Sequence, residues 1–160
     1  MAKMNVGRVI LGGIVAGLVA DILDYPVDGV WLAQRWSEQF KALGQQPTVI
    51  AHQWVWLELL GILCGLVAVW LYAAMRPRYG AGPKTAIYAG FAVWVLSAFI
   101  PNVGFMYLSG LFGRRLTLYT TAGALVEIVV GTILGAWLYK EPAPVGRIEP
   151  ADTKRQAVGA

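Results

Sequence analysis

The chain has 160 residues, of which 58% are hydrophobic and only 14% charged, and its net charge is +4. This composition excludes an ordinary soluble domain, because the apolar residues come in long blocks that a core of this size could not bury. The basic residues are divided between the two ends of these blocks, which excludes the single basic patch typical of a nucleic-acid-binding protein.

Four apolar blocks are long enough to cross a membrane, since a helical span needs about 20 largely apolar residues. The sequence predicts an all-α membrane protein, a four-transmembrane-helix bundle whose partner is the lipid bilayer. The spans are expected at about 6–30, 49–75, 84–108 and 116–139 within one domain over residues 1–140. No stretch remains for a soluble catalytic domain.

The first span carries carboxylates and glycines on one face. Gly13, Gly17, Asp21, Asp24 and Asp28 fall within an arc of roughly 80° on a helical projection. An ionised aspartate facing hydrocarbon costs about 3 kcal/mol, so this face must look toward protein, water or a cation. Glycines four residues apart allow a second helix to approach closely on the same side.

The segment at about 31–43 predicts an interfacial amphipathic helix after the first span. Trp31, Trp36 and Phe40 recur near helical spacing, and polar residues lie between them. Tryptophans of this kind sit at headgroup depth and anchor a helix. The alternative role is a lid that closes over the acidic face.

The second span places Glu58, Gly61 and Gly65 on one helix face. Cys64 is the only cysteine, which excludes an internal disulfide and a two-cysteine redox pair. His52 is the only histidine and lies on another face of the same segment. The residues that follow, Arg76 to Gly80, predict a short turn.

The third and fourth spans also have small-residue faces. The third contains Gly90, and its Pro101 predicts a kink or an end to the helix. The fourth carries Glu127 together with Gly131 and Gly135, after a loop that contains Arg114 and Arg115.

Acidic side chains of three spans are expected to meet. At 1.5 Å per residue, Asp21, Glu58 and Glu127 lie about 12–16 Å from the same end of their spans. The candidate intramembrane acidic site is therefore Asp21, Asp24, Asp28, Glu58 and Glu127. The glycines expected at helix contacts are Gly13, Gly17, Gly61, Gly65, Gly90, Gly131 and Gly135.

Three chemical roles stay open for these carboxylates. They can hydrogen-bond as protonated structural groups, or load and release protons or a cationic substrate during transport. They can also bind a divalent cation, for which Asp24, Asp28 and His52 are the expected ligands. No other cofactor is predicted, and the absence of catalytic sequence motifs favours a protein that is not an enzyme.

The distribution of Lys and Arg predicts that both termini are cytoplasmic. One side would carry Lys3, Arg8, Arg76, Arg78, Lys84 and Lys140, and the other Arg35, Lys41, Arg114 and Arg115. Residues 141–160 have too few large apolar side chains to fold alone and predict a disordered cytoplasmic tail.

The opening run Asn5 to Gly13, followed by Asp21, Asp24 and Gly29, resembles the start of a loosely defined family of uncharacterised small bacterial four-span membrane proteins. The resemblance implies a location in the bacterial inner membrane and carries no activity. Small multidrug transporters are similar in size and span number, but they hold their glutamate in the first helix. The resulting expectation is an accessory or assembly protein that binds a membrane protein or a second copy, with a proton-coupled or cation-coupled carrier and a divalent-metal-binding protein as alternatives.

Overall fold

The computed structural model describes residues 4–45 and 51–140, and every regular element in that part of the chain is helical. The predicted tail at 141–160 lies outside the described residues. Five α-helices are formed: α1 Val6–Asp24, α2 Ala33–Ala42, α3 Ala51–Tyr79, α4 Pro83–Trp94 and α5 Arg114–Leu138.

Four helical stretches are long and apolar enough to cross a membrane, in agreement with the four apolar blocks of the sequence. They are Val6–Trp31, Val55–Tyr79, Pro83–Leu108 and Arg114–Leu138. Many of their large apolar side chains point away from the protein, as Leu96 and Phe105 do. A lipid-facing surface has this character, because hydrocarbon replaces protein as the apolar surroundings.

Two of the spans continue beyond their α-helix in wider π-helical turns. α1 is followed by Tyr25–Trp31, and α4 by Val95–Phe99 and Asn102–Leu108. A proline lies inside the first stretch, Pro26, and Pro101 lies between the other two. Proline lacks the N–H that an α-helix requires and its ring crowds the preceding turn, which favours a locally wider helix.

Two helix ends differ from the expectations. α3 continues through the predicted turn to Tyr79, with Pro77 inside its last helical turn. The helix stops at Gly80, whose φ of +85° lies in the left-handed region that favours glycine. α5 begins at Arg114, so Arg114 and Arg115 belong to its first turn rather than to a loop.

α1 packs between α3 and α5, and α4 closes the other side by packing against α3 and α5. Gly13 faces α3, where an added Cβ would lie 2.6 Å from the Leu66 Cα. Its neighbour Gly12 faces α5, where a Cβ would overlap the carbonyl of Gly135. Adjacent glycines thus allow α1 to approach two different helices at backbone distance.

The molecule has two ends, each with an apolar cluster. We call the end where α1 begins and α5 ends the terminal end, and the opposite end, where α2 lies, the α2 end. The buried cluster toward the terminal end contains Val9, Ala16, Val69, Tyr72, Ala73, Ala86, Ala89, Ala136 and Tyr139. The cluster at the α2 end contains Leu32, Met106 and Leu116. Carboxylates occupy the region between the two clusters.

Candidate functional site

Asp21 reaches the surface of α3 because residue 61 is a glycine. Its carboxylate fills the space above Gly61, where an added Cβ would overlap it. Glu58, about one turn earlier on α3, is close enough to hydrogen-bond to the same carboxylate. The close contact of α1 with α3 through Gly17 therefore brings two acidic side chains together.

Glu127 is the most deeply buried acid of the group, with 6% of its surface exposed. Its Oε1 atom has no hydrogen-bond partner among the described residues. Gly123 lies one turn earlier, and an added Cβ there would be 3.1 Å from that oxygen. The charged groups nearest to Glu127 are the aspartates of α1 and the turn after it, so its surroundings are electronegative. A buried carboxylate without a donor is costly unless a proton or a cation accompanies it.

Asp28 differs from the other acids because its carboxylate is satisfied. Its Oδ1 accepts a hydrogen bond from the Trp36 indole at 2.7 Å and another from the Thr120 hydroxyl at 2.5 Å. These bonds connect the end of the first span to α2 and to α5. Asp28 therefore has a structural role, although it also lies close to Asp24.

A cavity of about 220 Å³ lies among the four spans, and we call it the acidic cavity. Asp21, Asp24 and Glu127 supply its carboxylates, and small residues form most of the rest of its wall. Its lining residues are Ala16, Ala20, Asp21, Asp24, Gly61, Cys64, Gly65, Ala68, Ser97, Ala98, Glu127, Ile128 and Thr132. Among the described residues, no Lys or Arg lines this cavity.

The hydroxyl groups in the acidic cavity donate their hydrogen bonds to the backbone and not to the carboxylates. Ser97 and Thr132 each donate to a backbone carbonyl four residues earlier in their own helix. The thiol of Cys64 is close to the Ser97 hydroxyl. The carboxylates of Asp21 and Glu127 each retain one buried oxygen that receives no hydrogen bond from the described part of the chain.

The acidic cavity has a polar mouth. Asp24, Ser97 and Glu58 come from three different spans, and all three are exposed. Asp24 and Ser97 line the cavity, whereas Glu58 lies beside it, next to Asp21. Two exposed carboxylates, those of Asp24 and Glu58, therefore lie at or beside the cavity that contains the buried carboxylate of Glu127.

The structure brings the five predicted acids into one region but divides them by role. Asp28 is hydrogen-bonded to α2 and α5, half-buried Asp21 and buried Glu127 each keep one buried oxygen without a hydrogen bond, and Asp24 and Glu58 lie at the mouth. All seven predicted packing glycines lie at close approaches, of which Gly90 faces Val129 and Thr132. Sequence reasoning missed Gly12 as a packing residue, whereas Gly123 lies on the glycine face that the sequence predicts for the fourth span. For Gly12, the Gly12–Gly13 doublet was the available signal.

The described residues cover only part of the predicted metal site. Among the side chains that the structure describes, no group of three or more His, Cys, Asp or Glu is arranged to hold a metal ion. Asp24 and Asp28 are neighbours, while the side chain of His52 lies outside the described residues. The geometry gives the Asp24, Asp28 and His52 hypothesis no further support.

Comparison with protein-family models, with curated proteins and with solved structures gives no significant match.

Proposed function

We propose that this chain is a small multi-pass membrane carrier that binds a proton or a small cationic solute in the acidic cavity. The observation that carries the proposal is Glu127, a buried carboxylate with an unsatisfied oxygen in a cavity that other carboxylates also line. This cavity lies among four helices that are long and apolar enough to cross a membrane.

The proposed location is the bacterial inner membrane, with the terminal end cytoplasmic. That end carries Arg8, Arg76, Arg78, Lys84 and Lys140, and the α2 end carries Arg35, Lys41, Arg114 and Arg115. An excess of Lys and Arg near the span ends favours the cytoplasmic side. In this orientation α2 lies along the outer interface, with Trp36 and Phe40 turned toward the protein and Glu38 exposed.

A cation explains the carboxylates better than structural hydrogen bonding does. Carboxylates that stabilise a fold find donors, as Asp28 does with Trp36 and Thr120. Asp21 and Glu127 each keep a buried oxygen without a donor, close to two further acids. In a membrane such a group is expensive, and transport sites are where intramembrane acids of this kind occur.

Transport, rather than permanent binding, is supported by the mouth and the wall of the cavity. The volume of about 220 Å³ accommodates several water molecules, each of which takes about 30 Å³, or one small ammonium ion. One wall comes from the π-helical turn Val95–Phe99, which contributes Ser97 and Ala98. Wide turns of this kind occur frequently at functional sites.

Flux through reconstituted protein tests the proposal. Vesicles that contain the full chain and an entrapped pH dye are given a potassium diffusion potential, negative inside, with or without external tetramethylammonium. We expect wild-type protein to admit protons, or to couple proton movement to tetramethylammonium. Glu127→Gln should reduce either signal to the level of empty vesicles, because the amide neither carries a proton nor attracts a cation.

Glu38→Gln is the matched control, because the same chemical change is made at an exposed site on α2, where Glu38 accepts a hydrogen bond from Gln34. This variant should keep wild-type flux. Wild-type flux in a correctly folded Glu127→Gln variant would exclude the carrier proposal. The proposal would also be excluded if vesicles with wild-type protein gave the same signal as empty vesicles, both with and without tetramethylammonium.

A second candidate, an accessory or assembly protein, is favoured by the exposure of Asp24 and Glu58. Exposed carboxylates at membrane depth can pair with a cationic side chain of a neighbouring membrane protein or a second copy. In that case Glu58→Gln would release a partner that copurifies in mild detergent, and the vesicle assay would show no flux for any variant.

A further inference from the structure

A second, larger cavity lies at the terminal end, far along the spans from the carboxylates. Its volume is about 460 Å³, and we call it the basic cavity. Residues from the end of α3, the start of α4 and the end of α5 line it, among them Tyr72, Arg76, Pro83, Trp137 and Lys140. Nothing in the proposed transport chemistry uses this cavity.

Two cationic side chains from different spans line the basic cavity. The Arg76 guanidinium stacks over the ring of Tyr139, with 5.5 Å between the guanidinium carbon and the ring centroid. This cation–π contact holds the planar group in a fixed orientation. Lys140 follows the end of α5 and lines the same cavity. A guanidinium and an ammonium on one cavity are the donor set that a phosphate group prefers.

Tyr72 adds a neutral donor. Its side chain is buried, with 4% exposed, and its hydroxyl oxygen accepts the Gly82 N–H at 3.3 Å. The O–H hydrogen is given to no acceptor among the described residues. A buried hydroxyl that lines a cavity without using its hydrogen can donate to an oxygen of a bound anion.

The remaining wall of the basic cavity is apolar, which indicates the kind of molecule that carries the phosphate. Ile133, Ala136 and Pro83 lie on this wall, and Trp137 beside them is 80% exposed. Tryptophan at a span end sits at the level of lipid headgroups. Cationic donors beside apolar contacts match a phospholipid, whose phosphate and acyl chains are joined in one molecule.

We propose that the basic cavity binds the phosphate of an anionic phospholipid between Arg76 and Lys140, with the lipid tails lying along Ile133 and Trp137. The proposal requires that the spans lie in a membrane and is independent of the acidic cavity. Free inorganic phosphate offers the same charged group without the tails, so the test separates the two sources.

The test measures binding to the purified full chain in detergent. Phosphatidylglycerol, phosphatidylcholine and inorganic phosphate are titrated separately, and the thermal unfolding temperature and the bound lipid retained in native mass spectrometry are recorded. We expect phosphatidylglycerol to raise the unfolding temperature and to remain bound. Phosphatidylcholine should do so at least about fivefold more weakly, because it is not anionic. An equal response to inorganic phosphate would overturn the lipid proposal in favour of a free anion.

Two substitutions locate the site. Lys140 follows the end of α5 and is exposed. The substitution Lys140→Gln should weaken phosphatidylglycerol binding about fivefold. Arg76→Gln should weaken it by about tenfold or more, since the guanidinium contact is lost. Arg78→Gln and Lys84→Gln are matched controls, because both residues are exposed at the same end and do not line the basic cavity. If Lys140→Gln and both controls weakened phosphatidylglycerol binding equally, the lipid would be attracted by surface charge in general and the proposed site would be excluded.

Discussion

Side chains of the same type have different roles here, and the difference depends on what each one contacts. Asp28 and Glu127 both come from apolar spans, and the sequence alone grouped them as one acidic site. Asp28 receives two hydrogen bonds, from Trp36 eight residues away and from Thr120 ninety-two residues away. Helical periodicity predicts which face an acid occupies, but it holds no information about partners this distant along the chain.

The glycines of α1 could be predicted more fully than the acids. Spacing identified Gly13 and Gly17 as a packing face, and the structure has both at backbone distance from α3. Glycine in a span has few purposes other than close approach, so its pattern translates directly into a contact. The partner of each glycine depends on how the helices are rotated and shifted, which their sequences do not specify.

We predict that Gly17→Ala is destabilising. The added Cβ would overlap the Ile62 Cα and lie 2.8 Å from the Gly61 carbonyl oxygen, so relief requires α1 and α3 to separate. Overpacking of this kind costs about 1–3 kcal/mol. The measurement is the free energy of unfolding in mixed micelles of mild detergent and sodium dodecyl sulfate.

Gly104→Ala is the control for that measurement. An added Cβ at position 104 has nothing within 4 Å, and its φ is not positive. It should leave stability unchanged or raise it by up to about 1 kcal/mol, since alanine favours helix more than glycine does. Equal destabilisation by both substitutions would contradict the contact described for Gly17.

α2 is held to the spans by two hydrogen bonds and a group of rings. Trp36 stacks on Phe40, and Phe112 meets both rings edge-on. The Gly113 N–H donates to the Gln39 side chain at 3.0 Å, which joins α2 to the start of α5. The near-helical spacing of its aromatic residues predicted a helix here, whereas its docking on Phe112 was not predictable, because that contact is long-range.

We predict that Trp36→Phe loosens α2. Phenylalanine keeps an aromatic ring against Phe40 and Phe112 but removes the donor to Asp28, and a hydrogen bond to a charged group contributes about 1.5–3 kcal/mol. Limited trypsin digestion in detergent should then cleave faster at Arg35 and Lys41.

Trp31→Phe is the matched control. The Trp31 ring contacts Tyr119, and its indole N–H makes no hydrogen bond to a described residue. Its digestion rate should stay near that of the wild type. If Trp36→Phe digested no faster than Trp31→Phe, the bond to Asp28 would not be what holds α2 in place.

At the level of the whole molecule, composition predicted the number of spans, and the depth of the acids along their helices predicted that they meet. The sequence did not predict the two cavities. They arise where neighbouring helices separate, and this depends on the side chains of several spans packing at once. The π-helical turns in the second half of the third span also escaped prediction, although Pro101 indicated a disturbance there.

The proposed membrane orientation predicts which end of the molecule is accessible from outside the cell. In a Cys64→Ala background, Ser109→Cys places a thiol at the α2 end and Ala81→Cys places one at the terminal end, both at exposed positions. A membrane-impermeant maleimide added to intact bacterial cells should label Ser109→Cys and should label Ala81→Cys only after the cells are opened. The reverse pattern would invert the proposed topology and move the basic cavity to the outer face.

The paired glycines at positions 12 and 13 have a consequence for movement. A helix held at backbone distance by one neighbour on each side has little freedom to slide, so we expect α1 to remain stationary relative to α3 and α5. α4 lacks such contacts with α1, and its continuation is interrupted by wide turns on both sides of Pro101. If the acidic cavity alternately faces the two sides of the membrane, the bending segment would be Val95–Phe99, beside the carboxylates.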